Sequence, residues 1–178
     1  MLYASNTFVP YNHPIEDADV IFLGIPFTST SISKPAMYGP TMVRHALQIC
    51  ENLPDKKICD LGDLEIVPGS YELTAERIRE TVKEIKQENS KAFPIFIGGE
   101  HLITLPIIES LKPATIIQLD AHSDTRRDYL GCEYSHSTWA FHANKISDII
   151  QIGLNSISDE ESEFLKKTDK IKSVNIEE

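Results

Sequence analysis

A short apolar run that ends in three alternating polar ligand groups constrains this chain more than any other feature. The run is Ile116-Ile117-Gln118-Leu119, and Asp120, His122 and Asp124 follow it. β-Branched residues favour a strand, and side chains two positions apart in an extended chain point to the same side. In an open α/β sheet, ligands bind at the carboxyl ends of strands. Carboxylates with a neutral imidazole suit a hard or borderline divalent ion, although a solvated acidic turn explains the pattern equally well when it is taken alone.

Strand and helix patterns alternate along the whole chain. Apolar runs that end at Gly, Pro or Asp predict strands at 19–26, 57–63, 93–99, 115–119, 148–153 and 171–176. Apolar residues at helical spacing predict helices at 39–49, 74–88, 103–111, 137–144 and 158–167. Thr74 and Ser158 are the candidate N-caps of two of these helices. The alternation predicts an α/β fold with a mainly parallel sheet.

The composition limits the class of protein. The 178 residues carry 17 Lys and Arg against 27 Asp and Glu, which gives a formal net charge of −10. This length suits one domain with a sizeable core. The acidic balance argues against nucleic acid or an anionic membrane as a partner, and no apolar run approaches membrane-spanning length. Cys50, Cys59 and Cys132 form no CxxC pair, which predicts reduced thiols and a cytosolic protein.

Two further histidines have neighbours in the sequence that suggest a function. His101 follows Gly98-Gly99-Glu100 at the end of the third predicted strand, and a glycine pair allows close approach of backbone because it has no Cβ. Alone, His101 is more simply explained as a hydrogen-bonding group at a helix start. With the segment 120–124 downstream, we expect it to be a metal ligand. His136, between the hydroxyls of Ser135 and Ser137, can return over the site as an acid/base group.

The remaining histidines, His13, His45 and His142, have no such neighbours. We interpret them as surface or packing residues.

These segments together resemble the ureohydrolase (arginase/agmatinase) family. The resemblance rests on Gly98-Gly99-Glu100-His101, Leu119-Asp120-Ala121-His122-Ser123-Asp124 and Tyr134-Ser135-His136-Ser137-Thr138, in this order. The resemblance extends to segments 20–26, 39–44 and 60–63, so it covers almost the whole chain. It implies a three-layer α/β/α fold, with residues 1–178 forming the N-terminal part of a single ureohydrolase-like domain.

The resemblance also implies a site with two Mn²⁺ ions. His101 and Asp124 would bind one ion, His122 the other, and Asp120 both. His136 matches the family's proton-shuttling histidine. Two cations lower the pKa of a bridging water towards about 7, and the resulting hydroxide attacks the guanidine carbon of the substrate.

The implied substrate is a small cationic guanidino compound. The loop 125–131 looks more like that of agmatinases than that of arginases, so hydrolysis of agmatine to putrescine and urea, a step of polyamine biosynthesis, stands ahead of other guanidino substrates. The residues that bind the substrate are not assigned. A cytoplasmic homo-oligomer, a trimer or a hexamer, is implied as well.

One departure from the family pattern leaves alternatives open. The family takes further ligands from an Asp-x-Asp motif on a later strand, and no such motif follows Gly153. We expect the family's later strands, which lie between the third and fourth strands of this chain, to be absent and to leave bare strand edges. Either the chain is the N-terminal part of a longer protein, which we prefer, or it is a short relative without catalysis, such as an assembly subunit. A metallophosphoesterase also uses Asp-x-His and Gly-Asp elements, but in another order.

Overall fold

The computed structural model describes residues 4–5, 12–30, 34–50 and 55–174. The chain divides into two compact units, Met1–Ile103 and Thr104–Glu178, called here the first and the second unit. Strands and helices alternate in both, and most neighbouring strands run parallel. The predicted α/β fold with parallel sheets is confirmed. The assignment of 1–178 to a single domain stays a prediction.

A four-stranded sheet is the centre of the first unit. Its order is β1 (Ala4–Ser5), β3 (Ile58–Leu64), β2 (Val20–Ile25) and β4 (Phe93–Gly98). β2 runs parallel to both of its neighbours, whereas β1 is antiparallel to β3. Every residue of β2 after Val20 is buried. A central parallel strand is covered on both faces, which explains why its sequence is a continuous apolar run.

The helices of the first unit follow the predicted pattern. They are α1 (Gly39–Gln48) and α2 (Tyr71–Glu88), together with 3-10 helices at Ile15–Asp17, Lys34–Tyr38 and His101–Ile103. α2 buries Ile78, Val82 and Ile85 along one face, as the helical spacing predicts.

The start of α2 differs from the prediction. We expected Thr74 as its N-cap, but the cap is Ser70, whose side chain accepts a hydrogen bond from the backbone N–H of Leu73 at 3.2 Å. Ser70 has the extended backbone that an N-cap requires. Thr74 lies inside the first turn, where its hydroxyl donates to the carbonyl oxygen of Ser70 at 2.8 Å. Both residues carry a hydroxyl group, so residue type alone does not separate them.

A buried ion pair joins α1 to β3. The side chain of Arg44 donates to Asp60 through Nε at 2.7 Å and through Nη2 at 2.9 Å. It also contacts the carboxylate of Asp63 and the carbonyl oxygen of Gly62. A Cβ at Gly24 would lie 1.9 Å from Asp63 Oδ1, so glycine is required beside this cluster. The cluster fixes α1 against the sheet of the first unit.

The second unit contains a three-stranded parallel sheet. Its order is β5 (Thr115–Leu119), β6 (Asp148–Ile152) and β7 (Ile171–Val174), and its helices are α3 (Thr104–Leu111), α4 (Trp139–Ala143) and α5 (Asp159–Leu165). β6 is central and its Ile149 and Gln151 are fully buried. Among the described strands β5 forms an edge, and Ile117 and Leu119 on it are exposed. The absence of the family's later strands stays a prediction.

Most other boundaries lie within a few residues of the predicted ones. α4 begins at Trp139 rather than at residue 137, because Thr138 first closes a turn by donating its N–H to the carbonyl oxygen of Ser135 at 3.1 Å. The last predicted strand is confirmed as β7, and residues 175–176 lie outside the described residues.

The predicted cap of α5 is confirmed in full. Ser158 and Glu161 form a reciprocal capping box, in which each side chain bonds the backbone N–H of the other residue. The three cysteines are free thiols, as expected. Among the described residues, no helix is long and apolar enough to cross a membrane.

Candidate metal site

The segment 120–124 leaves the carboxyl end of β5 as predicted. Its path is fixed by β6, because the N–H of Asp120 donates to the carbonyl oxygen of Ile152 at 3.1 Å. The three side chains differ in exposure: Asp120 is half-buried, His122 is exposed and Asp124 is buried. The segment therefore offers donor groups at several depths.

Asp120 and His122 lie close together. Asp120 Oδ1 accepts a hydrogen bond from the backbone N–H of His122 at 3.0 Å, and it lies 3.7 Å from His122 Nδ1. With metal–ligand bonds of about 2.0–2.2 Å, two donors on one ion are roughly 3–4 Å apart. The carboxylate and imidazole therefore fit a shared divalent ion in both chemistry and spacing.

Asp124 is held by the start of α4. Its backbone has a φ of 52°, which is uncommon for a residue other than glycine. Its carbonyl oxygen accepts from the N–H of Ala140 at 3.1 Å, and its Oδ2 accepts from Nε1–H of Trp139 at 2.8 Å. Both the backbone and the carboxylate of this residue are thus fixed within the second unit.

Two glutamines support the segment from the sheet. Gln118 of β5 and Gln151 of β6 are paired in register, and Gln151 Nε2 donates to Gln118 Oε1 at 2.8 Å and to the carbonyl oxygen of Ser123 at 2.7 Å. Gln118 Nε2 donates to the carbonyl oxygen of His122 at 3.2 Å. The motifs alone predict no role for these residues, although Ile-Ile-Gln recurs in both strands and marks a polar side chain inside an apolar run.

Glu161 is a second supporting residue that the sequence identified only as a helix cap. It is 5% exposed, and its Oε1 accepts from the hydroxyl of Ser123 at 2.8 Å and from the N–H of Thr125 at 3.3 Å. Burial alone would raise the pKa of this carboxyl group. The hydrogen bonds from Ser158, Ser123 and Thr125 outweigh burial and lower its pKa below the usual 4.5, so the group is a carboxylate near neutral pH.

His136 lies in the turn before α4. Its ring packs edge-on against Tyr129, with ring centroids 5.0 Å apart and planes at 73°. The turn is tied to the loop after Asp124, because the N–H of Arg126 donates to the carbonyl oxygen of Ser137 at 3.2 Å. His136 is half-buried, so its ring is restrained and still reaches solvent.

His101 belongs to the first unit, where it begins the 3-10 helix after β4 and is exposed. Glycine is required at position 99, because a Cβ there would lie 2.3 Å from the carbonyl oxygen of Phe27. Glu100 is buried, and its carboxylate accepts from the N–H groups of Ser29 and Thr30 at 2.8 and 2.9 Å. The expected close approach of backbone at the glycine pair is confirmed. The assignment of His101 as a ligand stays a prediction.

The other histidines occupy the places expected of surface or packing residues. His13 and His45 are exposed. His142 is buried, stacks on Tyr134 with ring centroids 4.7 Å apart, and places Nε2 3.1 Å from the carbonyl oxygen of Glu133.

Comparison with known proteins gives consistent results. The sequence model of the arginase family matches residues 18–178. The N(1)-aminopropylagmatine ureohydrolase of Thermococcus kodakarensis is 38% identical, over 86% of this chain and 57% of that protein. The agmatinase of Pyrococcus horikoshii is 35% identical, over 86% of this chain and 58% of that protein.

A solved structure agrees with these relatives. The agmatine ureohydrolase of Thermoplasma volcanium superimposes with a TM-score of 0.82 at 25% identity, covering 98% of this chain and 62% of that one. The chain therefore spans less than two thirds of the length of the relatives that it matches. By its sequence and its fold, this chain belongs to the arginase family.

Proposed function

We propose that this chain contributes to a site that holds two manganese ions and hydrolyses a guanidino compound, with agmatine as the first candidate substrate. The observation that carries the proposal is the 3.7 Å separation of Asp120 Oδ1 and His122 Nδ1 at the end of β5, in a chain of the arginase family. The names of its relatives support the substrate class, since they are an agmatinase and an N(1)-aminopropylagmatine ureohydrolase.

The proposed ligands are those of the family motifs. Asp120 would bind both ions, His122 one of them, and Asp124 and His101 the other. His101 is included because of its motif alone. When bound, the ions lower the pKa of a water molecule and so supply a nucleophile near neutral pH, which a resonance-stabilised guanidinium requires.

The residues of the second unit would orient these ligands in advance. The N–H of His122 holds one oxygen of Asp120, and the indole of Trp139 holds one oxygen of Asp124. Hydrogen bonds to ligand groups reduce the motion that must be lost on metal binding, and they tune the basicity of the ligands. The carboxylates also attract a cationic substrate.

His136 would transfer the proton to the departing amine. An imidazole changes its protonation state near neutral pH, which suits a group that must take up and release a proton in each cycle. Its edge contact with Tyr129 limits the orientations that the ring can adopt. The hydrolysis gives urea and putrescine when agmatine is the substrate.

N(1)-aminopropylagmatine is the second candidate substrate. It is favoured by the relative from Thermococcus kodakarensis, whose identity to this chain is 38%. Both compounds carry the same guanidinium and differ in the length of the amine tail. The relative turnover of the two compounds therefore shows which one is the preferred substrate. Urea release from either compound supports the proposed reaction.

The central experiment measures bound manganese and urea release on the purified chain. Because no Asp-x-Asp motif follows Gly153, we expect this chain to bind manganese weakly and to show weak or no turnover, with any urea forming faster from agmatine or N(1)-aminopropylagmatine than from arginine. His136→Asn should retain manganese and lose about 10²–10⁴-fold in turnover. A chain that binds no divalent ion contradicts the proposal. Bound manganese without urea favours the non-catalytic alternative, and cleavage of a phosphate ester favours the metallophosphoesterase.

The family resemblance also supports a homo-oligomer, a trimer or a hexamer. Light scattering on the purified chain measures this directly.

A further inference from the structure

The two oxygens of Glu161 face two different parts of the second unit. Oε2 accepts from the N–H of Ser158 at 2.9 Å and from its hydroxyl at 2.8 Å, and so caps α5. Oε1 accepts from the hydroxyl of Ser123 and the N–H of Thr125, which belong to the segment after β5. One buried carboxylate thus joins the helix start to the candidate metal site.

Asp124 is the residue between these two donors. Its left-handed φ of 52° is a conformation that residues other than glycine keep only when the surroundings hold it. Glu161 Oε1 binds the residue on each side of it, and Gln151 binds the carbonyl oxygen of Ser123. The backbone on both sides of Asp124 is therefore restrained by groups that lie outside the segment.

We propose that Glu161 is a positioning residue for metal binding, which keeps the backbone of Asp124 in the conformation that presents its carboxylate as a ligand. The inference rests on the proposed function, because it takes Asp124 to be a ligand. Hydrogen bonds to an ionised, buried acceptor are stronger than neutral ones, and those to Oε1 are shielded from water. Partners of ligand residues typically change metal affinity by about 10–100-fold when they are removed.

The test separates the two oxygens of Glu161. In Glu161→Gln one oxygen is replaced by an NH₂ group that cannot accept. We expect this group at the position of Oε1, because the hydroxyl of Ser123 can accept from it, whereas Oε2 receives the shorter bond from the N–H of Ser158 and faces Nε of Arg126. Ser158→Ala is the matched control, since it removes the capping hydroxyl and leaves the contacts of Oε1 in place. Manganese affinity is measured by calorimetry, and the melting temperature of the metal-free chain by circular dichroism.

We expect Glu161→Gln to weaken manganese binding by about tenfold or more. Ser158→Ala should change manganese affinity by less than about threefold while lowering the melting temperature to a similar extent. Equal losses of affinity in the two variants would reduce Glu161 to a purely structural residue. Unchanged affinity in Glu161→Gln would overturn the inference directly.

A third variant covers the case in which Glu161→Gln does not fold. Ser123→Ala removes one donor to Oε1 and leaves both Glu161 and the cap of α5 intact. It should weaken manganese binding more than Ser158→Ala does. The reverse order, or no difference between them, counts against the inference.

Amide hydrogen exchange on the metal-free chain distinguishes this inference from the proposed function. The N–H of Thr125 should exchange at least about tenfold faster in Glu161→Gln than in the wild type, whereas Ser158→Ala should leave it nearly unchanged. A wild-type chain that binds no manganese would refute the proposed function even where this exchange result holds. Unaltered exchange in Glu161→Gln, with manganese bound normally, would refute only the role of Glu161.

Discussion

Asp60 in the first unit and Glu161 in the second are both buried carboxylates, but their partners differ. Asp60 faces the guanidinium of Arg44, so a buried cation balances the buried anion. Glu161 accepts hydrogen bonds from hydroxyl and backbone N–H groups of Ser123, Thr125 and Ser158, and its nearby cation, Arg126, is partly exposed, with Nε 3.7 Å from Oε2. The first arrangement joins a helix to a strand and ends there, whereas the second reaches the segment that carries the candidate ligands.

The comparison indicates which kind of buried carboxylate can restrain the residues of a binding site. An ion pair such as Arg44–Asp60 is stabilising only while both charges remain, and its further contacts, with Asp63 and Gly62, lie within the first unit. A carboxylate that accepts several hydrogen bonds from hydroxyl and N–H groups, as Glu161 does, instead restrains every group that donates to it. Removing the partner of Asp60 should therefore mainly lower the free energy of unfolding. Removing the contacts of Glu161 should also weaken metal binding.

The largest effect is expected at the ion pair. Arg44→Met would leave Asp60 buried without its cation, and the free energy of unfolding should fall by about 3–5 kcal/mol. Denaturant unfolding measures this loss. Arg44→Lys, which keeps the charge but cannot bond both oxygens of Asp60 in the same way, should lose less. A loss below about 1 kcal/mol in Arg44→Met would show that Asp60 finds another partner.

Glu100 tests whether a carboxylate bound by backbone N–H groups behaves like Glu161. One carboxylate oxygen of Glu100 accepts from the N–H groups of Ser29 and Thr30, and the other accepts from the hydroxyl of Thr30. Glu100→Ala should lower the free energy of unfolding by about 2–3 kcal/mol, because the N–H groups of Ser29 and Thr30 would lose their shared acceptor. Thr30→Val removes only the hydroxyl and should cost about 1 kcal/mol. Equal losses in the two variants would mean that the backbone contacts contribute little.

These carboxylates also show what the sequence could and could not predict. The strand β5 and the capping box of Ser158 and Glu161 depend on neighbouring residues, so local patterns were sufficient to predict both. The contact of Glu161 with Ser123 joins residues 38 positions apart. It exists only because β5 and β6 pair in one particular register, which no local pattern specifies.

The contacts of the candidate site likewise fall into local ones, which the sequence predicts, and long-range ones, which it does not. The alternation of Asp120 and His122 after an apolar run was visible in the sequence, and their proximity follows from the local path of the chain. The indole of Trp139 on Asp124 was not predicted, since the helix was expected to begin at residue 137 and the turn before it was missed. Partners supplied by other elements depend on tertiary packing, which a single sequence does not contain.

The pH dependence of stability gives a finer test of Glu161. Its pKa is below the usual 4.5 in the folded chain, because the hydrogen bonds outweigh burial. The stabilisation is therefore complete above about pH 4.5 and is lost as the pH falls through the folded pKa. Nε of Arg126 lies 3.7 Å from Oε2, so this side chain also faces the carboxylate.

Unfolding titrations of the wild type and of Glu161→Gln between about pH 3 and 7 measure this contribution. The difference in free energy of unfolding between the two proteins should narrow below about pH 4.5, since glutamine does not titrate. A difference that stays constant or widens towards low pH would contradict the lowered pKa.

The smallest expected effect concerns the direct contact with Asp124. Trp139→Phe keeps a buried aromatic ring at the start of α4 and removes the N–H that donates to Asp124 Oδ2. The free energy of unfolding should fall by about 1–2 kcal/mol, since one hydrogen bond to a carboxylate is lost while the backbone restraints on Asp124 remain. If the backbone restraints from Glu161 dominate, Trp139→Phe should weaken manganese binding less than Glu161→Gln does, in calorimetry under the same conditions. The opposite order would mean that the carboxylate is oriented mainly through its own oxygen, and that the remote carboxylate of Glu161 acts on the stability of α5 rather than on the ligand.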